Sequence, residues 1–314
     1  MLPRIVTSPT AVGFHWADPA GVPRRLLDLF GEPGAEPHRW VPTHLEALDD
    51  VLVDLTGRCG EVLGGGRPPS PEEVVILRRG YREIDRLTVE YDDARRAAGL
   101  PEATRAGQIV GTAALLSVHA RTRLGLMGPV PFDGELDAPP PGVVGGRAGL
   151  HWVDPAHPWL GARWLVVTDP APGEPPARLP ASLSMLLTDS SGVDPVASRR
   201  EHREALGQVT AAVGDKGAAT TDPGGDDRSG ATARASVGRG VEPLAASGAL
   251  DWLLYDWLMA HRDGPDSPAV TVPGDPADPA RAVADAELIV SAAATSARLR
   301  ASFDPGLLDL PAPV

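Results

Sequence analysis

His15 and Asp18 stand three residues apart, and His151 and Asp154 repeat that spacing 136 residues later. An imidazole beside a carboxylate is a pair suited to general acid–base catalysis. Two imidazoles and two carboxylates brought together could also bind a divalent cation such as Zn²⁺ or Fe²⁺. The second copy adds His157, giving His151-x-x-Asp154-x-x-His157 within what reads as a loop. The catalytic candidates are therefore His15, Asp18, His151, Asp154 and His157. The chemistry they point to is that of a hydrolase or transferase, with or without a metal.

The pairs belong to a longer repeat. Gly13-Phe14-His15-Trp16-Ala17-Asp18-Pro19-Ala20-Gly21 recurs as Gly149-Leu150-His151-Trp152-Val153-Asp154-Pro155-Ala156-His157, with six of the nine positions identical. A structural reading accounts for more of these residues. Asp at the first position, Pro at the second and Gly at the fourth suit a type I turn. Asp18 and Asp154 then hold turns, while Trp16 and Trp152 anchor a core on the strand face opposite His15 and His151. On that reading the sequence assigns no metal and no cofactor. The second copy has His157 in place of the turn glycine, so the two turns need not match.

The elements that must position these residues follow from pattern. Residues 10–28 read as a β-hairpin around Asp18–Gly21. A helix is expected over 44–63, with Thr43 and Glu46 spaced as a capping box and Leu45, Leu48, Leu52, Leu55, Cys59 and Val62 on one stripe. A second is expected over 71–98, capped by Ser70 and Glu73, with the stripe Leu77, Tyr81, Ile84, Leu87, Tyr91 and Ala94. Its pairs Arg79–Glu83, Arg86–Glu90 and Asp92–Arg96 read as a solvated outer face. A third helix is expected over 102–124. Short connections make the three an antiparallel bundle.

The second repeat opens a β region. Gly149–Val153 and Ala162–Thr168 are strand candidates, and Ala181–Thr188 is a third whose Leu-Met content also suits a helix. A helix begun by Pro195 runs to about Val213. Residues 214–241 lack apolar periodicity and read as a flexible linker. Two further helices are expected over 247–262 and 279–300, followed by a Pro-rich coil from 303. The domain reading is an α+β domain over 1–213 with its helical unit at 43–125, the linker, and a docked helical region over 242–314.

Composition narrows the function. Lys216 is the sole lysine among 29 basic residues, and it lacks the flanking pattern of a phosphate-binding loop. Lysine-dependent cofactor chemistry would have to use it. A net charge of −13 argues against nucleic acid or an anionic membrane as partner. The richest basic groups are Arg78, Arg79, Arg82 and Arg86, and Arg199, Arg200 and Arg203. Both are interleaved with carboxylates, as solvated helix faces are. No apolar run spans a bilayer and the N-terminus has no apolar leader core. Cys59 stands alone, which fits a reducing, cytoplasmic compartment.

The helix around Gly248–His261 is the clearest partner signal. Leu250, Leu253, Leu254, Trp257 and Leu258 make one broad apolar face, while Trp252, Tyr255 and Met259 lie elsewhere on the cylinder. A helix apolar nearly all round is central in a core or part of an interface. Trp, Tyr and Met are enriched at interface centres. The expected fold is α+β, with a small, mostly antiparallel sheet from two related hairpins, an inserted three-helix bundle and a C-terminal helical pair. The expected function is that of a non-catalytic cytoplasmic interaction or assembly protein. Trp252, Tyr255 and Met259 would meet a protein partner or a second copy.

Overall fold

Asp18 begins the first local structure. Its carboxylate accepts from the backbone N–H groups of Ala20 and Val22, each at 2.9 Å. Its carbonyl accepts from Gly21 N–H at 2.9 Å, closing the turn. In the computed structural model, which describes residues 4–7, 13–127, 147–151, 163–167, 172–173, 178–181, 195–219, 235–261 and 278–310, this turn joins β2 (Phe14–Ala17) to β3 (Pro23–Arg24). A preceding strand, β1 (Arg4–Thr7), pairs antiparallel with the other edge of β2.

The fold is mostly helical with small antiparallel sheets, an α+β class. The two repeats do not share one sheet. β4 (Arg147–His151), β5 (Arg163–Val167) and β6 (Arg178–Ala181) form a second three-stranded antiparallel sheet, separate from β1–β2–β3. β2 is already paired on both edges, so the first sheet has no free edge beside the first repeat. Of the strand expected over 181–188 only Ala181 is described, as the last residue of β6; residues 182–188 lie outside the described residues.

α1 (Pro37–Leu63) starts before the expected Thr43 cap. Proline at the first helical position has no N–H to leave unpaired, and its fixed φ suits the helix. The Thr43 hydroxyl instead donates to the Arg39 carbonyl at 2.9 Å, so no capping box forms with Glu46. The earlier start lets Trp40 and Val41 join the buried stripe. α2 (Pro71–Ala97) is capped as its sequence predicts. Ser70 and Glu73 satisfy each other's backbone N–H groups, and Gly99, with φ +63°, follows the C-terminus. α3 is Thr104–Arg123.

α4 (Pro195–Ala219) and α5 (Ala235–Met259) both run into the segment read as linker. Residues 214–219 and 235–241 are helical; 220–234 lie outside the described residues. Once a helix exists, each added residue fixes few dihedrals for one more hydrogen bond, so it continues without an apolar stripe. α6 is Pro279–Phe303, capped by Asp278. No helix among the described residues is long and apolar enough to cross a membrane.

α2 is the axis of the packing. α1, α3 and α6 all lie against it, α5 and α4 pack on α6, and β4 meets α4. Every residue from Ile84 to Asp92 is buried, so the middle of the face read as solvated is covered, while Arg79 and Arg96 at its ends are exposed. The pairs Arg86–Glu90 and Asp92–Arg96 do form, but Arg86, Glu90 and Asp92 are buried. α6 runs antiparallel along α2, as Arg82–Asp304, Asp85–Arg300, Asp92–Arg298 and Arg96–Ser291 show in order. Gly13 lets β2 sit against α2. Its φ is +140°, and a Cβ there would lie 2.8 Å from the Glu83 side chain.

The deepest part of this seam is a closed network. Arg300 donates to both Asp85 oxygens at 2.8 Å, to both Asp251 oxygens at 2.8 and 2.9 Å, and to Ser296 Oγ at 2.7 Å. Arg121 adds a bond to Asp251 at 2.7 Å, and Ser117 donates to Asp85 at 3.0 Å. Burial alone would raise the Asp251 carboxyl, but Arg121 and Arg300 hold it below its ordinary value. Deleting one partner of a buried ionic group costs about 3–5 kcal/mol, whereas an exposed pair contributes at most about 1 kcal/mol. Arg300→Ala should therefore lower stability by about 3–5 kcal/mol, and Arg58→Ala, in an exposed pair with Asp54, by less than about 1 kcal/mol. Urea unfolding of the two variants checks this; equal, small losses would mean that Asp85 and Asp251 do not depend on Arg300.

Candidate functional site

Strand alternation sorts the first repeat. Phe14 and Trp16 are buried and His15 is half-buried. The Trp16 indole donates to Nδ1 of His44 at 2.9 Å, and His44 Nε2 lies 3.0 Å from the Leu87 carbonyl. An indole N–H can only donate and a carbonyl can only accept. His44 must therefore be neutral, with its proton on Nε2. Burial holds it down to about 3, against an opposing bond to Leu87. This relay ties β2 to α1 and α2. Trp40 packs beside Trp16 with ring centres 6.3 Å apart.

His44 is absent from the sequence candidates although its spacing was readable. It stands four residues before Leu48 and three after Val41, on the apolar stripe of α1.

Asp18 spends an oxygen on its own turn. His15 is held below its ordinary value by burial and by Arg86, against Glu83 and Glu90. His151 lies on β4, paired with Arg163, whereas His15 is paired with Val6. The two histidines thus sit in different sheets, and Asp154, His157 and Trp152 lie outside the described residues. Among the described residues, no group of three or more His, Cys, Asp or Glu side chains is placed to hold a metal ion. Cys59 is buried on the α1 stripe, and burial pushes its thiol up.

α5 has two different faces. Leu250, Leu253, Leu254, Trp257 and Leu258 are buried. Asp251 and Asp256, the two charges in that apolar run, are buried as well. Asp251 belongs to the Arg300 network, and Asp256 lies 3.9 Å from His202 Nδ1. Trp252, Tyr255 and Met259 are half-buried. They fall at i, i+3 and i+7, one stripe of a helix. The Trp252 and Tyr255 rings meet edge to face with centres 5.5 Å apart, and Tyr255 meets His119 in the same way at 5.5 Å. The row is therefore braced from behind by α3 while each member keeps some exposure.

The Arg300 network is lined by charged and hydroxyl groups but encloses only about 10 Å³. That is room for one water at most. Its donors and acceptors serve each other, and it is a structural element with no space for a substrate.

A second group of aromatic and imidazole rings closes the far end of α5. His202 stacks on Trp257 at 5.7 Å, and His261 lies 4.5 Å from the same ring. His202 Nε2 bonds the Leu253 carbonyl at 2.7 Å, and His261 Nδ1 the Trp257 carbonyl at 2.8 Å. Burial depresses both to about 4. Comparison with protein-family models, with curated proteins and with solved structures finds no match for this chain.

The buried histidines set an acid limit. In the unfolded chain they take up protons near pH 6.5. In the native chain His44 resists protonation to about 3, and His202 and His261 to about 4. Their contribution is fully present above about 6.5 and is lost as the pH falls towards the native values. At pH 5 the loss should be about 2 kcal/mol for each of His44 and His202. The urea midpoint should fall clearly between pH 7.5 and 5; a flat profile would mean that these rings accept protons without unfolding.

Proposed function

We propose that this chain is an interaction or assembly protein whose partner surface is the row Trp252, Tyr255 and Met259 on α5. The observation that carries the reading is that α5 buries one whole apolar face and still keeps these three large side chains half-exposed on another stripe. Large aromatic and Met side chains at the centre of a contact supply much of its energy. The partner is a protein or a second copy of the chain. The net charge of −13 disfavours nucleic acid and anionic membranes. The lone, buried Cys59 fits a reducing cytoplasm.

We also infer that the two Gly-x-His-Trp-x-Asp-Pro-Ala segments are copies of one strand–turn unit. The support is the six-of-nine identity and a strand at the start of each segment, central in the first sheet and at the edge of the second. The helical bundle of α1, α2 and α3 would then be the insertion between them, extended by α6.

Trp252→Ala and Tyr255→Arg test the surface. A residue at an interface centre is worth about 2 kcal/mol or more, roughly a thirtyfold change in affinity. Both variants should lose self-association or partner capture by about that factor in sedimentation, with the urea midpoint close to that of the parent. Unchanged assembly in both would remove the row from any interface and leave it as the outer edge of the core.

A further inference from the structure

The first turns of α2 and the segment 304–310 after α6 enclose an open groove of about 420 Å³. Small-molecule sites fall in the range of about 300–1,000 Å³. The segment that walls it is fixed in place. Arg82 donates to both oxygens of Asp304 at 2.9 Å, Arg25 donates to the Leu308 carbonyl at 3.1 Å, and Leu307 is buried.

The walls are apolar and the mouth is basic. Val74, Val75, Leu307 and Leu310 line the groove, with Val75 66% exposed. Arg78 and Arg79 are exposed on its rim and make no ion pair or hydrogen bond with any described residue. The other basic groups nearby are mostly occupied. Arg82 is bound to Asp304, and Arg86 uses its terminal nitrogens on Glu83, Glu90 and the Phe14 carbonyl. Even so, Nε of both Arg82 and Arg86 is buried without an acceptor. Arg86 is only 2% exposed and lines the same groove. Buried donors are nearly always satisfied. Of the carboxylates on the lining, Glu83 serves Arg86, which leaves Asp309. Free positive charge thus gathers at one place on a chain of net charge −13.

We propose that this groove binds a small organic anion. Its carboxylate or phosphate head is held by Arg78 and Arg79, and its apolar body lies on Val75, Leu307 and Leu310. Guanidinium groups suit such heads because their planar fork matches two oxygens at once. An inorganic ion would leave the valine and leucine wall unused, and a neutral apolar molecule would leave the arginines unused. The site lies on α2, so its reading is independent of the α5 surface.

Fluorescence titration of the full chain with anilinonaphthalene sulfonate, an apolar ring system carrying one anion, tests the site. Saturable binding is expected, and octanoate should displace the dye while octanol does not. The double variant Arg78→Glu with Arg79→Glu should weaken binding at least about tenfold, as should Val75→Asp. These side chains are exposed and Arg78 and Arg79 unpaired, so the urea midpoint should hold. Trp252→Ala should bind the dye as the parent does. Absence of saturable binding overturns the proposal, as does equal binding by the charge-reversed variant or equal displacement by octanol.

Discussion

The guanidinium of Arg300 is the point on which the helical packing depends. It lies between a carboxylate on α2 and one on α5, with hydroxyls from α3 and α6 filling the remaining valences. Hydrophobic burial drives these helices together, yet it is indifferent to small slips along their axes. A buried charge is not indifferent. Moved by one residue, Arg300 would leave Asp85 with only the Ser117 hydroxyl and Asp251 with Arg121 alone to balance its charge, in a site with room for one water at most. The ionic seam therefore fixes register, while the leucines of α1, α2 and α5 supply the bulk of the burial. Its net contribution to stability can be small even though breaking it is costly.

That division explains which parts of the fold were legible in the sequence. The Asp18 turn, the Ser70–Glu73 box and the stripes of α1 and α2 are local. Each is set by residues within a few positions of one another, so spacing alone reveals it. The environment of Arg86 and Asp92 is not local. Their i,i+4 partners are the ones a solvated helix would show, and nothing nearby in the chain announces that β2 and α6 will cover them. The same holds for 304–310. It belongs to a tail from 303 that reads as coil, and only the distant Arg82 and Arg25 turn it into a wall. α1 starts at Pro37, six residues before the expected Thr43–Glu46 cap. Tertiary burial of Trp40 favours the earlier start.

For the candidate site the balance is similar. Residue types on α5 were enough to separate a broad leucine face from Trp252, Tyr255 and Met259, because a helix period assigns faces directly. The repeat could not be handled in this way. Its spacing is equally compatible with paired sites and with paired turns. In the structure one carboxylate oxygen of Asp18 accepts from two backbone N–H groups of its own turn. Strand pairing puts His15 and His151 in two sheets instead of one.

The near-absence of lysine has a structural counterpart. An ammonium group is a single point with three donors, whereas a guanidinium spreads five N–H groups around a plane. At position 300 those donors reach four carboxylate oxygens and a serine hydroxyl on three different helices. A lysine could compensate the charge of one carboxylate but could not span both. The same property matters at Arg86, which bridges Glu83, Glu90 and a strand carbonyl from one buried position. Whatever biased the composition towards arginine, the packing has come to rest on the breadth of that group. The joints between α2, α3, α5, α6 and β2 are therefore ones that lysine, at equal charge, cannot make.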